Sequence, residues 1–202
     1  MDLKSTYDKI AENWSEDHAN DTWWIAGTDK FSSFLKKGDS VLNVGCASGL
    51  KSQYLTQKGF VVTGVDFSDK MIEFAQQRMP TGQFFVRDIN EPLDFKNKFD
   101  GIFAQAVLLH ISKKNVKKVI HKLIEFLNPN GYFYIAVKKL RDGSKEEQVV
   151  KENDYGYEYE RFFSFYTPEE LKKYLEDLKL NIVYSDVTSI GNTEWVQVIA
   201  QK

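Results

Sequence analysis

Cysteine occurs once, at position 46, so no intrachain disulfide can form, and the polar opening Met1-Asp2-Leu3-Lys4-Ser5-Thr6 offers no apolar secretory segment. Both features point to a reducing, cytoplasmic setting. Proline occurs only 4 times and glycine 12 times, with no repeat or low-complexity tract, which excludes a fibrous or disordered chain. No sign of charge dominates: 27 Lys and Arg face 29 Asp and Glu, a formal net charge of -2. Without a global basic field, neither DNA nor an anionic membrane is an expected partner. Long apolar runs are missing too. The most apolar stretches, such as 131–137, are strand-length, far short of the roughly 20 residues of a membrane-spanning helix. The few histidines are too scattered for a zinc site, and no metal is expected.

What is present is 202 residues, 42% apolar and 14% aromatic, enough to bury the core of one soluble domain. From Asp39 onward, short β-branched or aromatic runs alternate with segments of helical period, the pattern of βαβ units and a parallel sheet. Residues 40–44, 60–65, 83–86, 99–104 and 132–137 read as strands. Ser68 can cap a helix with Met71, Ile72, Ala75 and Met79 on one face, ended by Pro80. Ser112 starts another, with Val116, Ile120, Leu123 and Leu127 on one side and a lysine-rich solvated face opposite. Thr167-Pro168-Glu169-Glu170 combines a capping box with proline at the first helical position and predicts a helix from 168 to about 178. Residues 181–188 and 195–200 flank Gly191-Asn192 as a closing antiparallel hairpin.

The expected architecture is α/β: a doubly wound, mostly parallel seven-stranded sheet in a single domain. It divides into an N-terminal helical cap (1–38), a core (39–137), a lid or acceptor segment (138–166), and a C-terminal helix and hairpin (167–202). In the cap, Tyr7, Ile10, Ala11 and Trp14 form one stripe and Phe31, Phe34 and Leu35 a second, with Gly38 as a C-cap. The 138–166 segment is too long for an ordinary loop; it holds Tyr155, Tyr157, Tyr159, Phe162 and Phe163, with Arg161 able to grip a carboxylate or phosphate. The alternative is that these aromatics pack the segment onto the sheet and Arg161 pairs with Glu158 or Glu160.

The first strand runs into Val44-Gly45-Cys46-Ala47-Ser48-Gly49, a glycine-rich turn into a helix, where a ligand can approach backbone amides. Asp66 ends the second strand, where a carboxylate can accept both hydroxyl hydrogens of a ribose, and Asp88 ends the third. A dinucleotide fingerprint would place glycines at 45, 47 and 50, but 47 is Ala and 50 is Leu. No Gly-Lys-Ser/Thr phosphate loop occurs either, and Lys51 is misplaced for that role. Cys46 reads as a small buried residue rather than a nucleophile, and His18 and His121 as surface residues.

These residues resemble the class I S-adenosylmethionine-dependent methyltransferases of the small seven-stranded type. The likeness runs over Val41-Leu42-Asn43-Val44-Gly45-Cys46-Ala47-Ser48-Gly49, Val65-Asp66-Phe67-Ser68, Val86-Arg87-Asp88-Ile89, Phe99-Asp100 through Leu109-His110-Ile111, and Leu127-Asn128-Pro129-Asn130-Gly131. The resemblance implies that Gly45, Cys46, Ala47 and Gly49 wrap the amino acid part of S-adenosyl-L-methionine and its product S-adenosyl-L-homocysteine. It implies that Asp66 holds the ribose with Phe67 and Met71 nearby, that Asp88 and Ile89 read the adenine, and that Gln105 and Ala106 line the sulfonium side. Tyr7 and Trp14, in a helix expected to close over the cofactor, and Arg161 are candidate acceptor contacts. Two departures stand out: Asn43 replaces the acid usual in the family, and Ala47 replaces a glycine. His110 either takes a proton from the acceptor or anchors the turn into the next helix. The implied activity is in-line methyl transfer to an O or N atom of a small molecule by a monomer or weak homodimer. The alternatives are a non-catalytic S-adenosylmethionine- or nucleotide-binding module and a transfer RNA nucleoside methyltransferase.

Overall fold

The structure, a computed structural model, describes residues 2–202. Five strands, β1 (Ser40–Val44), β2 (Val61–Asp66), β3 (Gln83–Val86), β4 (Phe99–Gln105) and β5 (Leu127–Lys138), lie parallel in the spatial order β3-β2-β1-β4-β5. Their apolar runs are buried, as expected for strands covered on both faces. Two further strands of the main sheet, β8 (Asn181–Ile190) and β9 (Thr193–Gln201), form the closing hairpin, and β9 pairs antiparallel with β5. The seven-stranded, mostly parallel α/β sheet is the expected one. After β3 the chain returns to the other side of β1, so β1 and β4 flank the point where strand order reverses, the usual place for a ligand crevice in such sheets.

Helices cover both faces. The α4 helix (Asp69–Arg78) is capped by Ser68, whose Oγ accepts the Met71 N–H at 3.1 Å, and it stops before Pro80. The α5 helix (Lys113–Glu125) buries Val116, Val119, Ile120, Leu123 and Ile124. Each of these contributes on the order of 1.5–3 kcal/mol by leaving water. At α6 (Pro168–Asp177) the Thr167 hydroxyl accepts the Glu170 N–H at 3.1 Å. Ahead of the sheet lie α1 (Leu3–Asp17) and α2 (Ile25–Ser32), and α3 (Leu50–Gln57) follows β1. No described helix is long and apolar enough to cross a membrane.

Three expectations are corrected. Gly38 is not a helix C-cap: α2 ends at Ser32, and Gly38, at φ +92°, donates its N–H to the Gly59 carbonyl at 2.8 Å. The turn expected at 128–131 lies inside β5, where Asn130 at φ +63° and a register shift between Phe99 and Gly101 absorb the irregularity. Leu127, expected on the α5 stripe, is instead the first residue of β5. The 138–166 segment, too long for an ordinary loop, is built on strands. It contains a second sheet in which β6 (Glu147–Glu152) pairs antiparallel with β7 (Tyr159–Ser164), Val149 opposite Phe162 and Val150 opposite Arg161. This hairpin packs over the short 3-10 turn Leu108–His110 and against α1, above the carboxyl ends of the strands.

Candidate functional site

At the carboxyl end of β1 the backbone turns through three left-handed residues, Gly45 (φ +65°), Ala47 (φ +46°) and Gly49 (φ +81°). Glycine at 45 is required by contact as well as by conformation, because a Cβ there would lie 2.6 Å from Val107 Cγ2. Gly49 caps α3 in the left-handed region with no side-chain acceptor, so the first N–H groups of the helix face the turn free to meet a ligand. Asp66 holds the turn from behind. Its Oδ2 accepts the Ala47 N–H at 3.0 Å and its Oδ1 the Ser68 N–H at 3.0 Å. Burial pushes this carboxyl up to about 6 against the pull of those amides. Asn43 is buried and donates from Nδ2 to Ser52 Oγ at 2.8 Å, so the residue standing at the family's acidic position ties β1 to α3.

Ala47 carries a Cβ in a conformation that disfavours one. Ala47→Gly is therefore expected to stabilise the fold by up to about 1 kcal/mol, strain relief of about 1–2 kcal/mol being offset in part by the entropy glycine adds to the unfolded chain. A shift of the urea midpoint to higher concentration checks this; a lower midpoint refutes it.

A cavity of about 300 Å³ opens beside the turn. One wall is Cys46, Ala47 and Ala106, from the ends of β1 and β4. Much of the rest of the lining is aromatic, and all four tryptophans of the chain, Trp14, Trp23, Trp24 and Trp195, border the space. Trp23 and Trp195 stack with ring centroids 4.5 Å apart, joining the α1–α2 connection to β9. Two ammonium groups, Lys51 and Lys138, also face the cavity, and burial lowers the Lys51 pKa to about 8.

The roof is a hydrogen-bonded chain linking α1, the 3-10 turn and β7. His110 Nδ1 lies 2.7 Å from the Phe162 carbonyl, which can only accept, so Nδ1 carries the proton and Nε2 accepts from the Tyr7 hydroxyl at 2.8 Å. The Tyr7 oxygen in turn lies 3.5 Å from Arg161 Nη1. Arg161 is held in a two-pronged pair by Glu152, with Nε to Oε2 at 2.6 Å and Nη2 to Oε1 at 2.5 Å. Burial depresses the His110 pKa to about 3 and raises that of Tyr7, so both are neutral near pH 7.

Of the residues singled out from sequence, Cys46, Ala47, Ala106, His110, Arg161, Tyr7 and Trp14 line the cavity. Gly45, Gly49 and Asp66 build the turn beside it, and the Phe67 ring meets Tyr7 edge-on at 5.7 Å. Gln105 is buried, and its Oε1 has no hydrogen-bond partner among the described residues. Met71 and Ile89 are buried away from the cavity wall, and exposed Asp88 caps the turn after β3 by accepting the Asn90 N–H at 2.8 Å. His18 is not a plain surface residue: it stacks on Trp14 at 4.2 Å and lines the cavity. His121 is exposed on α5. Arg161 pairs with Glu152, across the β6/β7 ladder, rather than with Glu158 or Glu160. Trp23, Trp24, Trp195, Lys51 and Lys138 went unnoticed as cavity residues in the sequence; the Trp23-Trp24 pair in the polar Asn20-Asp21-Thr22 surroundings was the available signal.

A family model described as "Methyltransferase domain" matches residues 17–185. The chain is 31% identical over 138 residues to "Putative methyltransferase YqeM" of Bacillus subtilis, a match over 66% of this chain and 53% of the relative. It is 25% identical over 163 residues to the phosphoethanolamine N-methyltransferase of Plasmodium falciparum, over 78% of this chain and 60% of the relative. The chain thus spans little more than half the length of these curated relatives. Its fold matches the Burkholderia thailandensis 1,6-didemethyltoxoflavin-N1-methyltransferase, solved with 1,6-didemethyltoxoflavin and S-adenosylhomocysteine, at TM-score 0.79 and 19% identity over 99% of this chain and 87% of that one. With more than half of its length under the family model, the chain belongs to the methyltransferase-domain family.

Proposed function

We propose that the protein transfers a methyl group from S-adenosyl-L-methionine to an O or N atom of a small molecule. The observation that carries this reading is that the left-handed turn 45–49 and four tryptophans border one cavity at the strand-order reversal. The residues present fit the cofactor. The Cys46, Ala47 and Gly49 amides bond within the protein, which leaves the first N–H groups of α3 beyond Gly49 for the ligand, and Asp66 is a fixed acceptor at the end of β2 with lone pairs to spare for ribose hydroxyls. Ala106 lines the cavity, and Asp88 with Ile89, outside its lining, is the adenine contact of this reading. The relatives named for phosphoethanolamine and 1,6-didemethyltoxoflavin support a small-molecule acceptor.

When bound, the cofactor supplies an already activated methyl group, so the chain's own task is alignment and exclusion of water. Tyr7, Trp14 and the β6/β7 hairpin close the chamber, while His110 acts as the anchor of that roof: its Nε2 is occupied by Tyr7, and its depressed pKa makes it a poor base. Calorimetry with S-adenosyl-L-homocysteine, together with mass spectrometry of ligand released from the purified protein, tests the reading. Binding in a one-to-one ratio is expected. Absence of binding removes the methyltransferase reading, and binding without label transfer to any metabolite in an untargeted screen favours a non-catalytic module.

A further inference from the structure

The chamber has a charge imbalance that the protein does not itself satisfy. Lys138, at the end of β5, places its ammonium 4.0 Å from the Phe163 ring centroid, and no described carboxylate pairs with it. Desolvation and the guanidinium groups of Arg161 and Arg141 lower its pKa against the pull of the Glu152 carboxylate, which is itself paired with Arg161. A second cavity of about 310 Å³ adjoins the first and shares Lys138, Phe163 and Thr193 with it. Its wall carries Lys139, Arg141 and Lys145 besides Lys138, against two acids that are already engaged: Glu152 by Arg161, and Glu194 by Lys139 at 2.9 Å. The remaining wall includes Val150, Phe163 and Phe165. Lys51, two residues beyond the turn assigned to the cofactor's amino acid part, is the other ammonium of the first cavity.

Resting on the methyltransferase reading, we infer that the acceptor is an anion with an apolar body, its carboxylate or phosphate held by Lys138 where the two cavities meet. A cationic acceptor would meet Lys138 where the cavities join and a surplus of basic side chains in the second cavity; the first also holds the Asp21 carboxylate, which acts on Lys51. Lys138 is the specificity residue, and Val150 and Phe165 supply apolar wall for the body.

The full chain, loaded with S-adenosyl-L-homocysteine, is titrated by tryptophan fluorescence with benzoate, phenyl phosphate and neutral benzyl alcohol. At least one anion is expected to bind about tenfold or more tighter than the alcohol, the order of one charge-assisted contact, and the better of the two identifies carboxylate or phosphate. Lys138→Met keeps the apolar stem and should erase the preference, Lys138→Arg should keep it, and both should bind S-adenosyl-L-homocysteine as the wild type does. Equal binding of anion and alcohol, or a preference that survives Lys138→Met, overturns the inference while the cofactor reading stands. Failure of S-adenosyl-L-homocysteine to bind removes that reading and the inference with it.

Discussion

Asp66→Asn is expected to weaken S-adenosyl-L-homocysteine binding by about 10- to 100-fold, the equivalent of about 1.5–3 kcal/mol for charge-assisted hydrogen bonds. The side chain has two tasks that this substitution disturbs together. It orders the Ala47 and Ser68 amides, and its remaining lone pairs are the acceptors the proposed function assigns to the ribose. Its pKa adds a pH signature. The folded value, about 6, lies above the ordinary 3.8, so between those values the folded chain holds a proton that the unfolded chain has released. Asp66 therefore favours the fold most below about pH 4, and that contribution is lost as pH rises through 6, by about 3 kcal/mol at full desolvation. Ligand hydroxyls donating to the carboxylate stabilise the ionised form, so ligand binding should release protons near pH 6 and tighten from pH 5 to 7.5. Calorimetry in buffers of different ionisation enthalpy reads the proton release directly. Asp66→Asn should abolish both proton release and pH dependence. Equal affinity in wild type and variant would take Asp66 out of the site.

The elements with local chemical causes were legible from the sequence, and those with distant causes were not. Ser68 with Pro80 bounds α4, and Thr167-Pro168 opens α6, because capping and proline geometry act within one turn of chain. The β6/β7 ladder was not legible. Its β6 partner is charged and mostly exposed, and the pattern makes sense only once Val149 lies opposite Phe162 and Val150 opposite Arg161. The left-handed turn and Asp66 announced themselves through glycine spacing and a strand-end acid. Most of the chamber did not, since Trp23, Lys51, Lys138 and Trp195 come from separate elements and converge only in the folded chain. The sequence alone left His110 open between base and anchor; its contacts to the Phe162 carbonyl at Nδ1 and the Tyr7 hydroxyl at Nε2 come from distant elements and support the proposed anchor.

Tyr7→Phe and His110→Gln are each expected to lower stability by about 1–3 kcal/mol, because each leaves a largely buried hydrogen-bonding partner unmatched. Phenylalanine at 7 strips His110 Nε2 of its donor, and glutamine at 110 cannot reproduce the ring's two opposed contacts to the Phe162 carbonyl and the Tyr7 hydroxyl. The two losses share one interaction, so the double variant should cost less than the sum of the singles, a coupling that denaturant unfolding of all four proteins measures. His110 also has a distinct pH behaviour. Its folded pKa, about 3, lies below the ordinary 6.5, so the unfolded chain binds the extra proton between those values; the neutral ring stabilises the fold fully above about pH 6.5 and progressively less as pH falls toward 3. Acid sensitivity across that window should shrink in His110→Gln. The kinetic consequence separates anchor from base. As an anchor, His110 gives no titration in the methyl-transfer rate between pH 6 and 8, and both variants lose rate in step with cofactor affinity as α1 loosens from the β6/β7 hairpin. A His110→Gln protein with wild-type stability and affinity, but a rate lowered by roughly 10² or more, would instead assign the proton to this ring.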